Sequence, residues 1–140
     1  MNTPKGRILC TEDDADTRDL LSMILTIAGY EVVCTGSPNK ALQLARAQAW
    51  DLYLVDNWMP LMSGAALVAR IREFDVVTPA LFCSGAGYQS DIEKAAQAGG
   101  QGYLVKPIHN DVLLAEVERL IKRASTRCRS IETLVNLEPS

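Results

Sequence analysis

Five short apolar runs punctuate the chain, and each gives way abruptly to polar or charged residues. Arg7 to Thr11 leads into Glu12-Asp13-Asp14, Glu31 to Thr35 into Gly36-Ser37, Asp51 to Val55 into Asp56-Asn57, Ala80 to Cys83 into Ser84-Gly85, and Gly102 to Val105 into Lys106-Pro107. Runs this short and this continuously apolar predict buried strands, and the spacing between them leaves room for a crossover helix each time. Apolar continuity, in place of strict alternation, points to a parallel sheet covered on both faces.

The intervening segments read as helices with their own punctuation. The first starts near Asp14 or Asp16, carries Leu20, Leu21, Ile24 and Ile27 at helical spacing, and stops at Gly29. Ser37-Pro38 pairs an N-cap with proline at the first helical position, opening a helix with Ala41, Leu42 and Ala45 inward. Leu67, Val68 and Ile71 mark the third helix, and Ile92, Ala95 and Ala96 the fourth. Asn110 is expected to cap the last, whose stripe of Leu113, Leu114, Val117 and Ile121 ends near Arg123. Right-handed crossovers then give an α/β, doubly wound five-stranded parallel sheet flanked by five helices, one domain over residues 5–124. Residues 125–140 are a C-terminal tail or the start of a linker. There Ile131, Leu134, Val135 and Leu137 suit an extension of the last helix or a short extra one.

Composition narrows the setting. With 48% hydrophobic residues, 22% charged and a formal net charge of −3, the chain has neither a disordered composition nor a basic nucleic-acid surface. It lacks an apolar stretch long enough to span a membrane, and Met-Asn-Thr-Pro-Lys-Gly is not a signal peptide, so a cytoplasmic location is expected. Cysteines at 10, 34, 83 and 128 form no close pair; the first three sit in apolar runs as small hydrophobes, while Cys128 lies in the polar tail. His109, the only histidine, excludes a multi-histidine metal site.

The chemistry gathers at the strand ends, where open α/β sheets bind ligands. A dinucleotide site would need glycines and anion-facing N–H groups after the first strand, but Glu12, Asp13 and Asp14 stand there and would repel phosphate. Joined by Asp56, these acids crowd one edge; two unit charges about 4 Å apart repel by roughly 4 kcal/mol at an effective dielectric of 20. A divalent cation resolves the conflict, and all-oxygen ligands favour Mg²⁺ over zinc. A metal beside a carboxylate, a lysine and a hydroxyl suits phosphoryl transfer: Asp56 as nucleophile, with the metal, Lys106 and Ser84 on the three equatorial oxygens. Gly85 keeps the approach open.

In this order and register, Glu12-Asp13, the Asp-x-x-Met-Pro-x-x-x-Gly segment from Asp56 to Gly64, Ser84 and Lys106-Pro107 resemble the receiver domain of two-component response regulators, over about Lys5 to Ala124. The resemblance implies a flavodoxin-like sheet of strand order 2-1-3-4-5. It implies that Asp13 and Asp56 bind Mg²⁺ directly with the backbone carbonyl of Trp58, and that Glu12 acts mostly through water. The phosphoryl donor is then a phosphohistidine on a histidine kinase or histidine phosphotransfer protein. Ser84 and Tyr103 become switch residues that alter the surface over the fourth helix, fifth strand and fifth helix, for a downstream protein partner or an output domain. The resemblance further implies a switch that promotes its own aspartyl phosphorylation and dephosphorylation without being a conventional enzyme, with no direct contact to nucleic acid or membrane.

Each residue has a plainer competitor. Asp14 reads better as a helix cap than as a ligand, Tyr103 also fits a static rim aromatic, Tyr88 a loop residue, and Trp50 a packing residue at the third strand. Trp58 is bulkier than the family pattern leads one to expect, and Trp58 and Ala86 occupy the two positions that influence loss of the acyl phosphate. Gln101 and Gly102 replace the acids that support the dimer of the winged-helix branch, so that dimer loses support while homodimerisation stays open. Two other classes compete. An aspartate-nucleophile phosphatase needs a second Asp where Trp58 stands, and a scaffold pseudo-receiver normally lacks one of the residues that are all present here. A stand-alone receiver and a piece of a longer regulator or hybrid kinase both fit.

Overall fold

The computed structural model describes residues 3–85 and 87–137, with side chains up to residue 126. Ala86 and the side chains of Cys128, Ile131, Leu134, Val135 and Leu137 lie outside the described residues. Strands β1 (Arg7–Thr11), β2 (Glu31–Thr35), β3 (Leu52–Val55), β4 (Ala80–Ser84) and β5 (Gly102–Val105) alternate with helices α1 (Ala15–Ile27), α2 (Pro38–Ala47), α3 (Gly64–Ile71), α4 (Gln89–Gln97) and α5 (Asn110–Leu137). All strand pairs are parallel and the sheet order is β2-β1-β3-β4-β5, as the resemblance implied.

The period-two geometry of a strand sends successive side chains to opposite faces. Leu9, Tyr53, Val55, Ala80 and Phe82 pack with Ala41, Leu42, Leu67, Val68 and Ile71 of α2 and α3 on one face. Ile8, Cys10, Leu52, Leu54, Leu81 and Cys83 pack with Leu21 and Leu25 of α1 and Leu113, Val117 and Leu120 of α5 on the other. Both faces of β3 and β4 are therefore buried, which is why these strands read as unbroken apolar runs.

Local signals set the helix ends. Asp14 Oδ2 accepts the Thr17 N–H at 2.9 Å, Ser37 Oγ the Lys40 N–H at 3.2 Å, and Ser63 Oγ the Ala66 N–H at 3.0 Å. Gly29, with φ of +106°, turns the chain out of α1 into a left-handed conformation that a side chain would oppose. Two expectations are corrected. Asn110 is the first helical residue and not the cap, the His109 carbonyl accepting the Leu113 N–H at 3.1 Å. The same helix does not end near Arg123 but continues as one 28-residue element to Leu137, because Ala124 to Leu137 contains neither Gly nor Pro to stop it.

At the N-terminal edge of the sheet a polar lattice ties loops together. The Tyr53 hydroxyl donates to Asp75 at 2.6 Å, Asp75 accepts the Val77 and Thr78 N–H groups at 3.1 Å, and Arg72 donates to the carbonyls of Gly99 and Asp75 at 2.8 and 2.9 Å. Trp50 packs at the start of β3 as expected, its indole N–H donating to the Leu44 carbonyl at 2.9 Å and the Arg7 guanidinium lying 4.7 Å from its ring centre. With that edge fixed and both faces filled, the polar strand ends at the opposite edge are left for chemistry. No helix among the described residues is long and apolar enough to cross a membrane.

Candidate functional site

The strand order reverses at β1, which has β2 on one side and β3 on the other, and a crevice opens beyond the C-terminal ends of β1 and β3. The sheet ladder continues one residue past the strands. Glu12 N–H donates to the Thr35 carbonyl at 3.0 Å, Asp56 N–H to Thr11 at 2.9 Å, and Lys106 N–H to Ser84 at 2.8 Å. Glu12, Asp56 and Lys106 thus leave a rigid backbone, not a free loop.

Their side chains converge. Carboxylate oxygens of Glu12, Asp13 and Asp56 all lie within 4.8 Å of one another. Lys106 Nζ sits 2.8 Å from Glu12 Oε2 and 3.9 Å from Asp56 Oδ2. Asp56 Oδ1 accepts the Trp58 N–H at 3.1 Å, and Glu12 Oε1 accepts the Asp14 N–H at 3.3 Å. Glu12 and Asp56 are only 2% and 7% exposed, while Asp13 faces solvent.

Burial of this order disfavours charge. The Asp56 carboxyl is pushed up to about 7, first by desolvation, with the Glu12 charge adding to it; the Trp58 N–H and the Lys106 ammonium pull the other way without winning. For Lys106, burial works against the charged form, but the hydrogen bond to Glu12 and the negative charges of Asp56 and Glu12 outweigh it and hold the ammonium above its ordinary value. Three carboxylates against one ammonium leave a negative, oxygen-only cluster, the donor set of a hard divalent cation. Cys83, buried beneath it, is pushed up to about 12 mainly by desolvation and stays a neutral thiol.

The remaining sequence candidates fall around this cluster. Ser84 is fully buried at the end of β4, and the exposed Gly85 follows it onto the cleft wall. Tyr103 is half-buried, its ring stacked on Phe82 with centres 5.9 Å apart and planes 13° from parallel. It packs against the α2–α3 side of the core, an arrangement that a switch residue and a static rim aromatic share. Trp58, 63% exposed, stands between the acidic cleft of about 510 Å³ and a second groove toward Asp91 and Lys94 of α4. Asp14 caps α1; it lines the cleft but lies outside the close carboxylate cluster. His109 is exposed in the loop before α5.

Three residues have a place at the site that the sequence did not suggest. Asn57 is buried, its Oδ1 accepting the Ala65 N–H at 2.9 Å and its carbonyl the Gly64 N–H at 3.0 Å, so it welds the loop after β3 to the start of α3. Arg18 of α1 reaches back to the backbone of the acid pair. Tyr88, read as a plain loop residue, lines the acidic cleft. Asn57 could have been found from its place beside Asp56 ahead of a Ser-Gly helix start; nothing in the local pattern marks Arg18 or Tyr88.

A sequence profile described as the response regulator receiver domain matches residues 8–118. The cell cycle transcriptional regulator CtrA of Caulobacter vibrioides (strain NA1000 / CB15N) is 27% identical over 136 residues, covering 94% of this chain and 59% of that protein. The chain thus spans less than two-thirds of the length of the curated relatives it matches. Among solved structures, a CheY-like receiver domain protein from Methanospirillum hungatei JF-1 superposes with a TM-score of 0.85 at 23% identity, covering 89% of this chain and 99% of that one. The receiver domain of sensor histidine kinase PA1611 from Pseudomonas aeruginosa PAO1, described with a magnesium ion coordinated in its active site cleft, gives a TM-score of 0.78 at 27% identity over 84% of this chain and 98% of its own.

Proposed function

The chain belongs to the response regulator receiver domain family, whose work is phosphorylation-controlled signalling, and from that premise we propose that Asp56 is its phosphoryl acceptor. The observation that carries this reading is the convergence of Glu12, Asp13 and Asp56 with Lys106 at one sheet edge. The donor is a phosphohistidine on a histidine kinase or a histidine phosphotransfer protein. An Asp56 oxygen attacks phosphorus, the imidazole leaves, and an acyl phosphate remains. Mg²⁺, held by Asp13, Asp56 and the Trp58 carbonyl with Glu12 acting through water, would neutralise the crowded carboxylates and one phosphoryl oxygen. The magnesium in the cleft of the PA1611 receiver supports that choice of ion.

The protein groups divide the remaining work. Lys106, held by Glu12 at 2.8 Å and already within 3.9 Å of Asp56, needs only a short swing to meet a phosphoryl oxygen on Asp56. Ser84 takes another oxygen, and its movement draws on the Tyr103 ring, coupling the site to the surface of α4, β5 and α5. That surface addresses a downstream protein or an output domain, in the cytoplasm and without direct nucleic-acid or membrane contact by this chain; self-association of the phosphorylated form is compatible with the same surface. In this scheme the domain promotes its own phosphorylation and dephosphorylation and turns over no other substrate.

Intact mass after incubation with a small-molecule phosphoryl donor tests the proposal. A single Mg²⁺-dependent phosphoryl adduct is expected on the wild type and none on Asp56→Asn; an adduct that survives in the variant, or none in either protein, overturns the assignment.

Trp58 adds a specific expectation. Trp58 lines the acidic cleft beside Asp56, and in this scheme its ring screens the acyl phosphate from attacking water. Trp58→Asn is expected to speed decay of the phosphorylated form by about tenfold, the effect of roughly 1.4 kcal/mol on a barrier. Decay is followed as loss of the adduct with time, and equal or slower decay in the variant removes the shielding role.

A further inference from the structure

Arg18 lies in the second turn of α1, half-buried, with no part in the chemistry proposed above. Its Nη1 donates to two successive backbone carbonyls, those of Glu12 at 2.9 Å and Asp13 at 3.2 Å. To get there the guanidinium crosses Gly36, in the turn after β2. A Cβ built on Gly36 would stand 2.5 Å from Nη1 and 3.5 Å from the Glu12 carbonyl oxygen, so the guanidinium fills the notch that a side chain would take. Gly36 has no left-handed φ, so its backbone does not itself demand glycine. The notch is what the missing side chain provides.

We propose that Arg18, seated in the notch at Gly36, is a positioning residue that pins the Glu12 and Asp13 carbonyls and thereby sets where their carboxylates stand relative to Asp56. The inference rests on reading the cleft as a Mg²⁺ site. A carbonyl direction fixes its peptide plane, and the two planes pinned here flank Asp13, the exposed member of the cluster. The pin is needed because the three carboxylates, with oxygens within 4.8 Å, repel one another before a cation arrives. On the other side the Glu12 N–H is held by the Thr35 carbonyl at 3.0 Å, so the acid pair is gripped between β2 and α1.

Charge and position predict opposite signs, which makes the inference decidable. If Arg18 mattered only as a cation near the cleft, removing it would make the site more negative and tighten Mg²⁺ binding. If it positions the pair, removing it weakens binding despite the loss of a positive charge. The test is Mg²⁺ titration of the full chain followed by Trp58 fluorescence, with thermal melts to establish that each variant is folded. Arg18→Ala is expected to bind Mg²⁺ about tenfold more weakly, the low end of what supporting partners contribute to a metal site. Arg18→Lys should recover only part, since an ammonium lacks the planar fork. Gly36→Ala keeps every charge, and its methyl group evicts the flexible end of Arg18, so it should weaken binding in the same direction. The double variant Arg18→Ala/Gly36→Ala should be no worse than Arg18→Ala alone, because both remove one contact. Unchanged or tighter binding in folded Arg18→Ala, or unaltered binding in Gly36→Ala, overturns the inference and leaves the Mg²⁺ reading standing. A wild type without any Mg²⁺ response fails the site reading and takes the inference with it.

Discussion

Asp56→Asn is expected to make the metal-free protein more stable, and increasingly so as pH rises. The carboxyl has an ordinary value of 3.8 and is pushed up to about 7 in the folded protein. The sign follows from proton counts. Between these values the folded state holds a proton that the unfolded chain has lost, so stability falls with rising pH. The contribution is fully present below pH 3.8 and gone once pH has risen through about 7. A shift of this size corresponds to about 4 kcal/mol at full ionisation. Asn keeps the shape and carries no charge, and Lys106 retains Glu12 as its partner at 2.8 Å. Denaturant midpoints should therefore favour the variant over wild type by an amount that grows by about 2–3 kcal/mol from pH 5 to pH 8. Saturating Mg²⁺ should narrow the gap by stabilising the wild type and leaving the variant unmoved. A difference that is flat in pH, or that shrinks toward pH 8, contradicts the burial argument. The same side chain that carries the proposed chemistry is thus a liability to the resting fold.

Much of this arrangement was legible in the chain. Apolar runs located β1, β2 and β5 to the residue, and β3 and β4 within one residue; the central strands β1, β3 and β4 are almost entirely buried and leave little room for polar interruption, while the outer strands β2 and β5 are only partly buried. The polar residue after each run then marked the sheet edge, and Asp56, Lys106 and the Glu12-Asp13 pair converge there. Asp14 and Ser37 announced helix starts through chemistry that is local in sequence. What stayed hidden depends on partners distant in sequence or on the absence of a signal. The Glu12–Lys106 ion pair joins residues 94 positions apart. Arg18 reads as one more charged residue on the outer face of a helix until Gly36 is seen beneath it. The end of α5 was misjudged because an apolar stripe tells where a helix packs, not where it stops, and the residues after Arg123 hold no breaker. Tyr103 illustrates the remaining ambiguity: a switch residue and a static rim aromatic both place the ring inward, so its stacking on Phe82 fits either role.

Two glycines at the same edge are expected to respond to alanine very differently, one with a large loss of stability and one with almost none. Gly64 opens α3 directly under the loop that follows Asp56. A Cβ there would lie 2.5 Å from the Asp56 carbonyl oxygen, 2.8 Å from Val55 Cγ1 and 2.9 Å from Asn57 Cα. Two of these atoms are backbone, so the clash cannot be relieved by turning a side chain; either α3 backs away or the Asp56 segment shifts. Alanine gains up to about 1 kcal/mol in helix propensity over glycine, less at a first helical position. Overpacking of this kind costs typically 1–3 kcal/mol and more where backbone must move. The clash therefore wins, and Gly64→Ala should lose about 2 kcal/mol or more in denaturant unfolding. It should also lose phosphoryl acceptance, since Asp56 moves with its loop. At Gly85 a Cβ would meet nothing within 4 Å, so Gly85→Ala should fall within about 0.5 kcal/mol of the wild type. Gly64 packs against the backbone of Asp56 and Gly85 directly follows Ser84, yet only the first is required by contacts within the protein. Equal stability of the two variants would mean that the close approach of α3 to Asp56 is not what the Gly64 position secures.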